Sequence, residues 1–262
     1  MHDTINNLEN IKTKLVNYQK TKIIAVSKTF PAENIVPLLD YGHREFGENK
    51  VQEALQKWPN LKAQYKNTNL HMIGKLQTNK VKFLFPHFDY VHSLDSIKLA
   101  EKISKAELKY KKKLKIFIQV NLGNEENKNG ISISELSSLY EQSIKKFNLN
   151  IIGLMCIPPK DGFASNYFKE LKNLNKELDL NELSMGMSQD YLDAANVGLS
   201  VVQKANALGV ALLKLGSSVI FGGLIDIKRV AFDVKLSAAK GGHFRVSMEA
   251  VFLRKHRRTF TL

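Results

Sequence analysis

The sequence has a single cysteine, only six prolines and no long run of apolar residues. Because Cys156 has no partner in the chain, an intrachain disulfide is impossible, which is typical of proteins in a reducing cytoplasm. No stretch approaches the roughly eighteen apolar residues that span a membrane. The first nine residues lack a basic segment followed by an apolar one, so no signal peptide is predicted. We therefore expect a cytoplasmic protein with Cys156 as a buried small hydrophobe.

Several catalytic and binding motifs are also missing. No G-x-G-x-x-G turn follows the first apolar segment, and Gly74-Lys75 is not a phosphate-binding P-loop because Asn69 stands where its first glycine belongs. The predicted strand ends carry no paired carboxylates, which argues against glycoside hydrolysis. No Asp, Glu and His residues cluster at ligand spacing, so no metal site is predicted. The sequence also has no nucleophilic serine elbow.

Positive charge, in contrast, is plentiful. The formal net charge is +14, and residues 224–262 hold nine Lys or Arg against three Asp or Glu. A basic tail of this kind raises the hypothesis of nucleic-acid binding. The sequence lacks the interleaved aromatic and basic residues of a stacking platform. We therefore favour the interpretation that most of the lysines form solvated surface.

Eight short apolar segments alternate with stretches of helical periodicity. This alternation is typical of a parallel sheet with helical crossovers, and eight repeats favour an α/β fold of the (β/α)8 TIM-barrel type over a doubly wound open sheet. We expect one barrel domain over residues 1–223. The predicted strands lie at 23–27, 44–49, 70–74, 89–93, 115–121, 151–157, 183–188 and 210–217.

The predicted strand ends carry an unusual set of polar residues. Lys28 follows the first strand, where it could simply extend its ammonium group to water. Ser188, Gly216 and Ser217 follow the seventh and eighth strands, where barrels often bind phosphate, although tight turns alone would also explain them. An amine facing a phosphate site across one barrel mouth suits pyridoxal 5′-phosphate, a phosphorylated aldehyde that forms a Schiff base with lysine. The intervening strand ends add Asn49, His71, His92 and Asn121.

The motifs also resemble those of the pyridoxal phosphate homeostasis proteins, whose fold is similar to the N-terminal barrel of alanine racemase. Matching motifs are AVSKTFP (25–31), FGENKVQEA (46–54), HMIGKLQTNK (71–80), VHSLDS (91–96), QVNLGNEENKNGI (119–131), GLMCIPP (153–159), LSMGMSQD (183–190) and KLGSSVIFG (214–222). The resemblance implies Lys28 as the Schiff-base lysine and Asn49 beside the cofactor ring. It also implies that the phosphate is held by Ser188, Gly216 and Ser217.

The chain departs from the family pattern at three places. Lys214 stands where the family usually has an arginine facing the pyridine nitrogen, and lysine is a point charge rather than a planar donor. The stretch before Gly216 is longer than the family pattern, with the surplus near 196–205, which we expect to lengthen the seventh helix or to loop out. Residues 224–262 form an extension that we expect to be poorly ordered or loosely helical.

The resemblance implies a function in pyridoxal phosphate homeostasis, with the cofactor held on lysine and no committed reaction. Racemisation needs a second base, which racemases of this fold take from a separate β domain, and the tail is too short to be that domain. A racemase-like enzyme is the alternative, and nucleic-acid binding through the basic tail is the third hypothesis. Enzymes that need the cofactor are the expected recipients.

Overall fold

The computed structural model describes residues 2–18, 21–125, 128–198, 201–204, 230–238 and 244–252. The chain divides into two compact units, Met1–Leu215 and Gly216–Leu262. The first unit contains a closed barrel of eight strands, joined in chain order by parallel pairing. The α/β barrel predicted from the alternation of strands and helices is therefore confirmed.

The strands are short and the helices between them carry apolar faces. The elements of the first unit are α1 (Asp3–Lys14), β1 (Lys22–Val26), α2 (Ala32–Asp40), β2 (Glu45–Glu48), α3 (Val51–Gln64), β3 (Asn69–Met72), a 3₁₀ helix (Thr78–Phe83), β4 (Tyr90–Leu94), α4 (Ile97–Tyr110), β5 (Lys115–Gln119), α5 (Ile133–Lys145), β6 (Asn150–Met155), α6 (Ala164–Glu177), β7 (Glu182–Ser184), α7 (Tyr191–Val197) and β8 (Val201–Lys204).

The barrel closes through a strand that differs from the predicted one. β8 pairs in parallel with β1, from Lys22 opposite Val201 to Ala25 opposite Lys204. The predicted eighth strand, 210–217, lies outside the described residues. The surplus segment near 196–205 does not lengthen the seventh helix, because α7 ends at Val197 and 201–204 form β8. Val201-Val202 supplies the β-branched residues that favour a strand.

Apolar side chains fill two layers, as the alternation along buried strands requires. Large side chains such as Phe46 and Trp58 belong to the extensive cluster that also includes the helix faces. A second, smaller cluster lies apart from it and comprises Ile24, Tyr90, Phe117 and Met155, contributed by β1, β4, β5 and β6.

Helix α3 continues through a proline, a residue that usually ends or kinks a helix. Pro59 lies inside α3, which continues to Gln64. Proline removes one helical hydrogen bond, since it has no N–H to donate to the carbonyl of Leu55. Burial on both sides of Pro59 favours continuation, because Trp58 and Leu61 both belong to the core.

The second unit contains two antiparallel strands, β9 (Val230–Ala238) and β10 (Phe244–Phe252), paired from Phe244 opposite Ala238 to Phe252 opposite Val230. This differs from the loosely helical or poorly ordered tail expected over 224–262. Apolar residues occupy every second position of 230–236, and this alternation is typical of a β-strand rather than of a helix. The boundary between residues 223 and 224 stays a prediction.

Cys156 lies just after β6 and is buried, as the sequence predicts. Burial raises the pKa of its thiol, with the carboxylates of Asp190 and Glu170 adding to the effect. The protonated thiol is therefore the stable form at neutral pH, and it behaves as a small apolar group. Across the described ranges, no helix combines the length and apolar character needed to cross a membrane.

Candidate functional site: the lysine turn at the carboxyl end of the barrel

Lys28 lies in the turn that follows β1, at the end of the barrel where the carboxyl ends of the strands meet. Its side chain is partly buried, and within the described parts of the chain no hydrogen bond or ion pair engages its amine. Thr29, next in the chain, has a φ of 65°, a left-handed conformation that is uncommon for a β-branched residue. Such strain persists only where surrounding contacts hold the backbone in place.

Those contacts come from β2 and α3. The buried hydroxyl of Ser27 donates to Glu48 Oε1 at 2.6 Å, and the Ser27 N–H donates to the carbonyl of Gly47 at 2.9 Å. Lys57 Nζ donates to the carbonyl oxygens of Ser27 at 2.8 Å and of Phe30 at 3.1 Å. The residues on both sides of Lys28 are therefore fixed to neighbouring elements.

Glu48 is the buried anchor of these contacts, with a fully inaccessible side chain. Its Oε1 accepts from Ser27, from Trp58 Nε1 at 3.0 Å and from Lys57 at 2.8 Å, whereas Oε2 has no hydrogen-bond partner in the described structure. Glu53 completes the set by accepting from Lys57 at 2.9 Å and from the strained Thr29 N–H. We call Ser27, Glu48, Glu53 and Lys57 the turn clamp.

Asn49 follows β2 directly and is partly buried. A side chain at Gly74 would put its Cβ 2.4 Å from the Asn49 carbonyl oxygen, so only glycine allows this approach. The close contact ties the turn after β3 to the turn after β2. Asn49 is therefore brought to the same end of the barrel as Lys28, one strand along.

Ser188 lies in the turn between β7 and α7. Gly186 in this turn has a φ of +82°, and an added Cβ would lie 2.8 Å from the Cβ of Ala194, so glycine is required on both counts. The Met187 N–H donates to Asp190 Oδ1 at 2.5 Å, which holds the turn. The remaining predicted cofactor residues, Lys214, Gly216 and Ser217, lie outside the described residues.

Two imidazoles expected at the barrel mouth lie instead in its interior. His71 and His92 are both buried, and Nδ1 of His71 is 2.9 Å from Nε2 of His92. The chain of contacts extends from His71 Nε2 to Glu45 Oε2 at 2.7 Å and from His92 Nδ1 to Ser184 Oγ at 2.8 Å. Hydrophobic spacing gives no signal for such a chain, because each histidine occupies a position where an apolar residue would also fit.

Burial is the main influence on the pKa values of the two histidines in this series of hydrogen bonds. It lowers the pKa of His71, and the Glu45 carboxylate only partly offsets the effect. Burial lowers the pKa of His92 well below its usual value, and His71 adds to that shift. The pKa of Glu45 is lowered: burial would raise it, but hydrogen bonds from His71 and Asn69 outweigh burial. At neutral pH we therefore expect two neutral imidazoles and an ionised carboxylate.

The last polar strand end, Asn121, is engaged in its own loop. Its Nδ2 donates to the carbonyl of Glu125 at 3.0 Å, and its Oδ1 accepts from the Glu125 N–H at 3.4 Å. The side chain therefore closes the loop after β5 rather than presenting a free amide at the mouth.

Comparison with known proteins places the chain in a family. Residues 3–215 match the family model described as alanine racemase, N-terminal domain. A pyridoxal phosphate homeostasis protein from Aquifex aeolicus is 38% identical over 194 residues, 70% of this chain and 83% of the relative. The protein of that description from Escherichia coli K12 is 31% identical over 227 residues, 79% of this chain and 96% of the relative. The chain belongs to the pyridoxal phosphate homeostasis protein family.

Solved structures agree with this assignment. PipY of Synechococcus elongatus, a structure described as having PLP bound, is 31% identical, with a TM-score of 0.72 over 78% of this chain and 99% of PipY. Alanine racemase of Corynebacterium glutamicum is 13% identical with a TM-score of 0.60, over 79% of this chain and 59% of the racemase. The second likeness shows the fold alone. The homeostasis family therefore shares its barrel with the racemases, as the sequence motifs predict.

Proposed function

We propose that the chain binds pyridoxal 5′-phosphate covalently through Lys28 and serves the homeostasis of this cofactor, with no committed reaction of its own. The observation that carries the proposal is the position of Lys28, whose amine has no partner among the described residues and lies at the carboxyl end of a closed barrel of this family. The family relative PipY, described with PLP bound, supports the choice of ligand.

The described residues suit this ligand. An aldehyde needs an amine, which Lys28 supplies; the Lys28 nitrogen adds to the aldehyde carbon, and water leaves as the C=N bond forms. In the proposal, Asn49 on the neighbouring strand end lies beside the ring, and Ser188 holds the phosphate with Gly216 and Ser217. The proposal also has Lys214, which lies outside the described residues, as the residue that would face the pyridine nitrogen. The bound group supplies an electron-accepting ring, whereas the protein supplies the amine and the positioning.

The turn clamp explains how Lys28 is held for this bond. Both neighbours of Lys28 are hydrogen-bonded to β2 and α3, so the backbone of the turn is fixed while the amine is left without a partner among the described residues. A prearranged amine pays less ordering entropy when it reacts. The clamp thereby favours formation of the covalent bond between Lys28 and the aldehyde.

The experiment that tests the proposal is a visible absorption spectrum after addition of the cofactor. We expect an imine band that Lys28→Ala abolishes and that Lys98→Ala, a change at an exposed lysine of α4, leaves in place. No band with the unmodified chain, or an equal band in Lys28→Ala, would refute the proposal.

The absence of a committed reaction is part of the proposal and has a separate test. Racemisation requires proton transfer on two faces of the bound substrate, and the proposal names no second base opposite Lys28. Incubation with single amino-acid enantiomers, followed by chiral chromatography, should show no sustained turnover by the loaded protein. Sustained turnover that Lys28→Ala abolishes would favour the racemase-like alternative.

The proposal extends to place and partners. A lone buried cysteine suits the cytoplasm, and the recipients we propose are cofactor-requiring apoenzymes. Nucleic-acid binding through residues 224–262 remains the rival for the basic tail. Deleting this tail should leave the imine band in place, while any salt-sensitive RNA or DNA binding would be lost with it.

A further inference from the structure

A cavity of about 290 Å³ opens beside Asn49, between the start of α3 and the segment that follows β3. Three lysines line it from different parts of the chain: Lys50 precedes α3, Lys75 follows β3, and Lys80 lies in the 3₁₀ helix. The wall also includes Gln77, whose amide can donate hydrogen bonds. Lys50, Lys75, Lys80 and Gln77 belong neither to the turn clamp nor to the set proposed to hold the cofactor, whereas Asn49, which also lines the cavity, is shared with that set.

The positive charge around this cavity is not neutralised within the described structure. None of Lys50, Lys75 and Lys80 lies within ion-pair distance of a carboxylate among the described residues. This contrasts with Lys57 and Lys62, which both bind carboxylates within 3 Å. Three like charges around one concavity repel each other unless an anion enters.

Nearby carboxylates compensate for this charge only in part. Burial raises the pKa of Asp95 and the charge of Lys75 counteracts part of that rise, so Asp95 offsets some of the Lys75 charge without forming an ion pair with it. Glu53 lies in the first turn of α3, but its Oε1 already accepts from Lys57 and from the Thr29 N–H. The cavity therefore keeps its excess of positive charge.

Backbone donors add to the lysines at the same place. Helix α3 has fourteen residues. Lys50 occupies its N-cap position, but the Lys50 side chain forms no capping hydrogen bond with the first turn. The first N–H groups of a helix, here those of Val51 and Gln52 in the cavity wall, lack partners within the helix and favour negative charge. The approach of Gly74 to the Asn49 carbonyl keeps the two sides of the cavity together.

We propose that this cavity is a second anion-binding site, which takes the phosphate monoester group of a small molecule. Its volume exceeds that of a phosphate group, so part of the attached molecule also fits. The site lies at the second and third strand ends, whereas Ser188, the described member of the proposed phosphate-binding set of the Lys28 site, lies in the turn after β7. The two sites meet at Asn49, so a phosphate group in this cavity would lie next to a cofactor held at Lys28.

The test is an NMR titration of the Lys28→Ala protein, which removes covalent reaction, with inorganic phosphate, with pyridoxal 5′-phosphate and with pyridoxal. Both phosphate-bearing probes should shift the backbone amides of Val51 and Gln52 saturably, and pyridoxal should not. Lys75→Gln combined with Lys80→Gln should weaken this binding at least tenfold. The matched pair Lys66→Gln with Lys98→Gln, at exposed lysines elsewhere, should change it less than twofold.

The outcomes separate this site from the proposed function. A response at Ser188 without one at Gln52 would overturn the second site and leave the Lys28 proposal standing. A response at Gln52 that Lys75→Gln with Lys80→Gln weakens would support the second site whether or not the imine band is found. An unsaturable response, or one that both double variants weaken equally, would mean general attraction to surface charge and would also overturn the second site.

Discussion

Nδ1 of His71 and Nε2 of His92 lie 2.9 Å apart in the barrel interior, and this contact is the middle link of a longer series of hydrogen bonds from Glu45 to Ser184. An ionised Glu45 can only accept, so His71 carries its proton on Nε2 and accepts on Nδ1. His92 must then donate from Nε2 and accept on Nδ1, and Ser184 donates to it. The negative charge of Glu45 therefore determines which atom donates in each of these three hydrogen bonds.

The first prediction concerns these tautomers. Long-range ¹H–¹⁵N NMR should show both histidines as neutral rings protonated at Nε2 near pH 7.5. Replacing the acceptor-only carboxylate in Glu45→Gln removes the constraint, because an amide can donate or accept. Mixed tautomers should then appear at His71 and His92. Nδ1-protonated rings in the unmodified protein would contradict the inferred direction.

The second prediction follows from the lowered pKa values. Because burial lowers the pKa of His71 and His92 in the folded state, the unfolded chain binds more protons below about pH 6.5. Stability should therefore be retained at neutral pH and fall as the pH drops below that value. Each histidine contributes at most roughly 1.4 kcal/mol per pH unit.

Urea unfolding at pH 7.5, 6.0 and 5.0 measures this dependence. His43 contributes as well, since burial lowers its pKa to about 4, so its own titration by NMR should have its midpoint near that pH. A stability that stays constant or rises between pH 6.5 and 5.0 would show that the interior histidines are not held neutral.

The third prediction concerns the turn clamp. Lys57→Met leaves the inaccessible Glu48 carboxylate without its cation, and breaking a buried pair in this way costs about 3–5 kcal/mol. Adding Glu48→Gln should recover part of that loss, because a neutral amide no longer needs the cation. Urea unfolding of both single variants and the double variant gives the coupling.

The clamp also predicts an effect on the cofactor. The double variant, stable enough to study, should form the imine band at a higher cofactor concentration than the unmodified chain, since the Lys28 turn is less firmly held. The control is Lys62→Met, which breaks the ion pair with Asp89. Asp89 directly precedes β4 and so lies at the amino-terminal end of that strand, whereas the Lys28 turn lies at the carboxyl end of the barrel. Equal concentration dependence in both variants would mean that the clamp has only a structural role.

The fourth prediction tests the contact between Gly74 and Asn49. In Gly74→Ala the new Cβ would lie 2.4 Å from the Asn49 carbonyl oxygen, so one of the two turns must shift. We expect weaker formation of the imine band and lower stability. Gly42→Ala, which meets no atom within 4 Å but has a φ of +93°, should lower stability by about 1 kcal/mol and leave the band unchanged.

The barrel was predictable because its signal is periodic and repeated. Apolar strands such as 23–27 and 115–121 are bounded by polar turns, and alternation with helices leaves few other folds. The position of Lys28 followed from the same reasoning, since the residue after a barrel strand lies at the carboxyl end. Lys28 alone could also have been an amine extended to water, and its pairing with Ser188, Gly216 and Ser217 at one barrel mouth favoured pyridoxal 5′-phosphate. The motif resemblance then added the family and the role of each residue.

The turn clamp and the interior histidines were not predictable in this way. Lys57 is one of two lysines in α3, and nothing in the local sequence shows that it reaches the carbonyl oxygens around Lys28. In the sequence, His71 and His92 look like polar residues at strand ends. Their burial depends on where each strand begins and ends, which the sequence does not determine to within one or two residues. Contacts between residues twenty or more positions apart require the fold.

The most direct test of the central claim is reduction of the cofactor-loaded chain with borohydride, followed by digestion and mass spectrometry. A reduced imine is a stable secondary amine, so the modified lysine can be located. We predict a pyridoxyl phosphate group on Lys28 in nearly all of the protein, and none at that position without cofactor. Modification spread over surface lysines such as Lys66 and Lys98, with Lys28 no more modified than they are, would contradict the account.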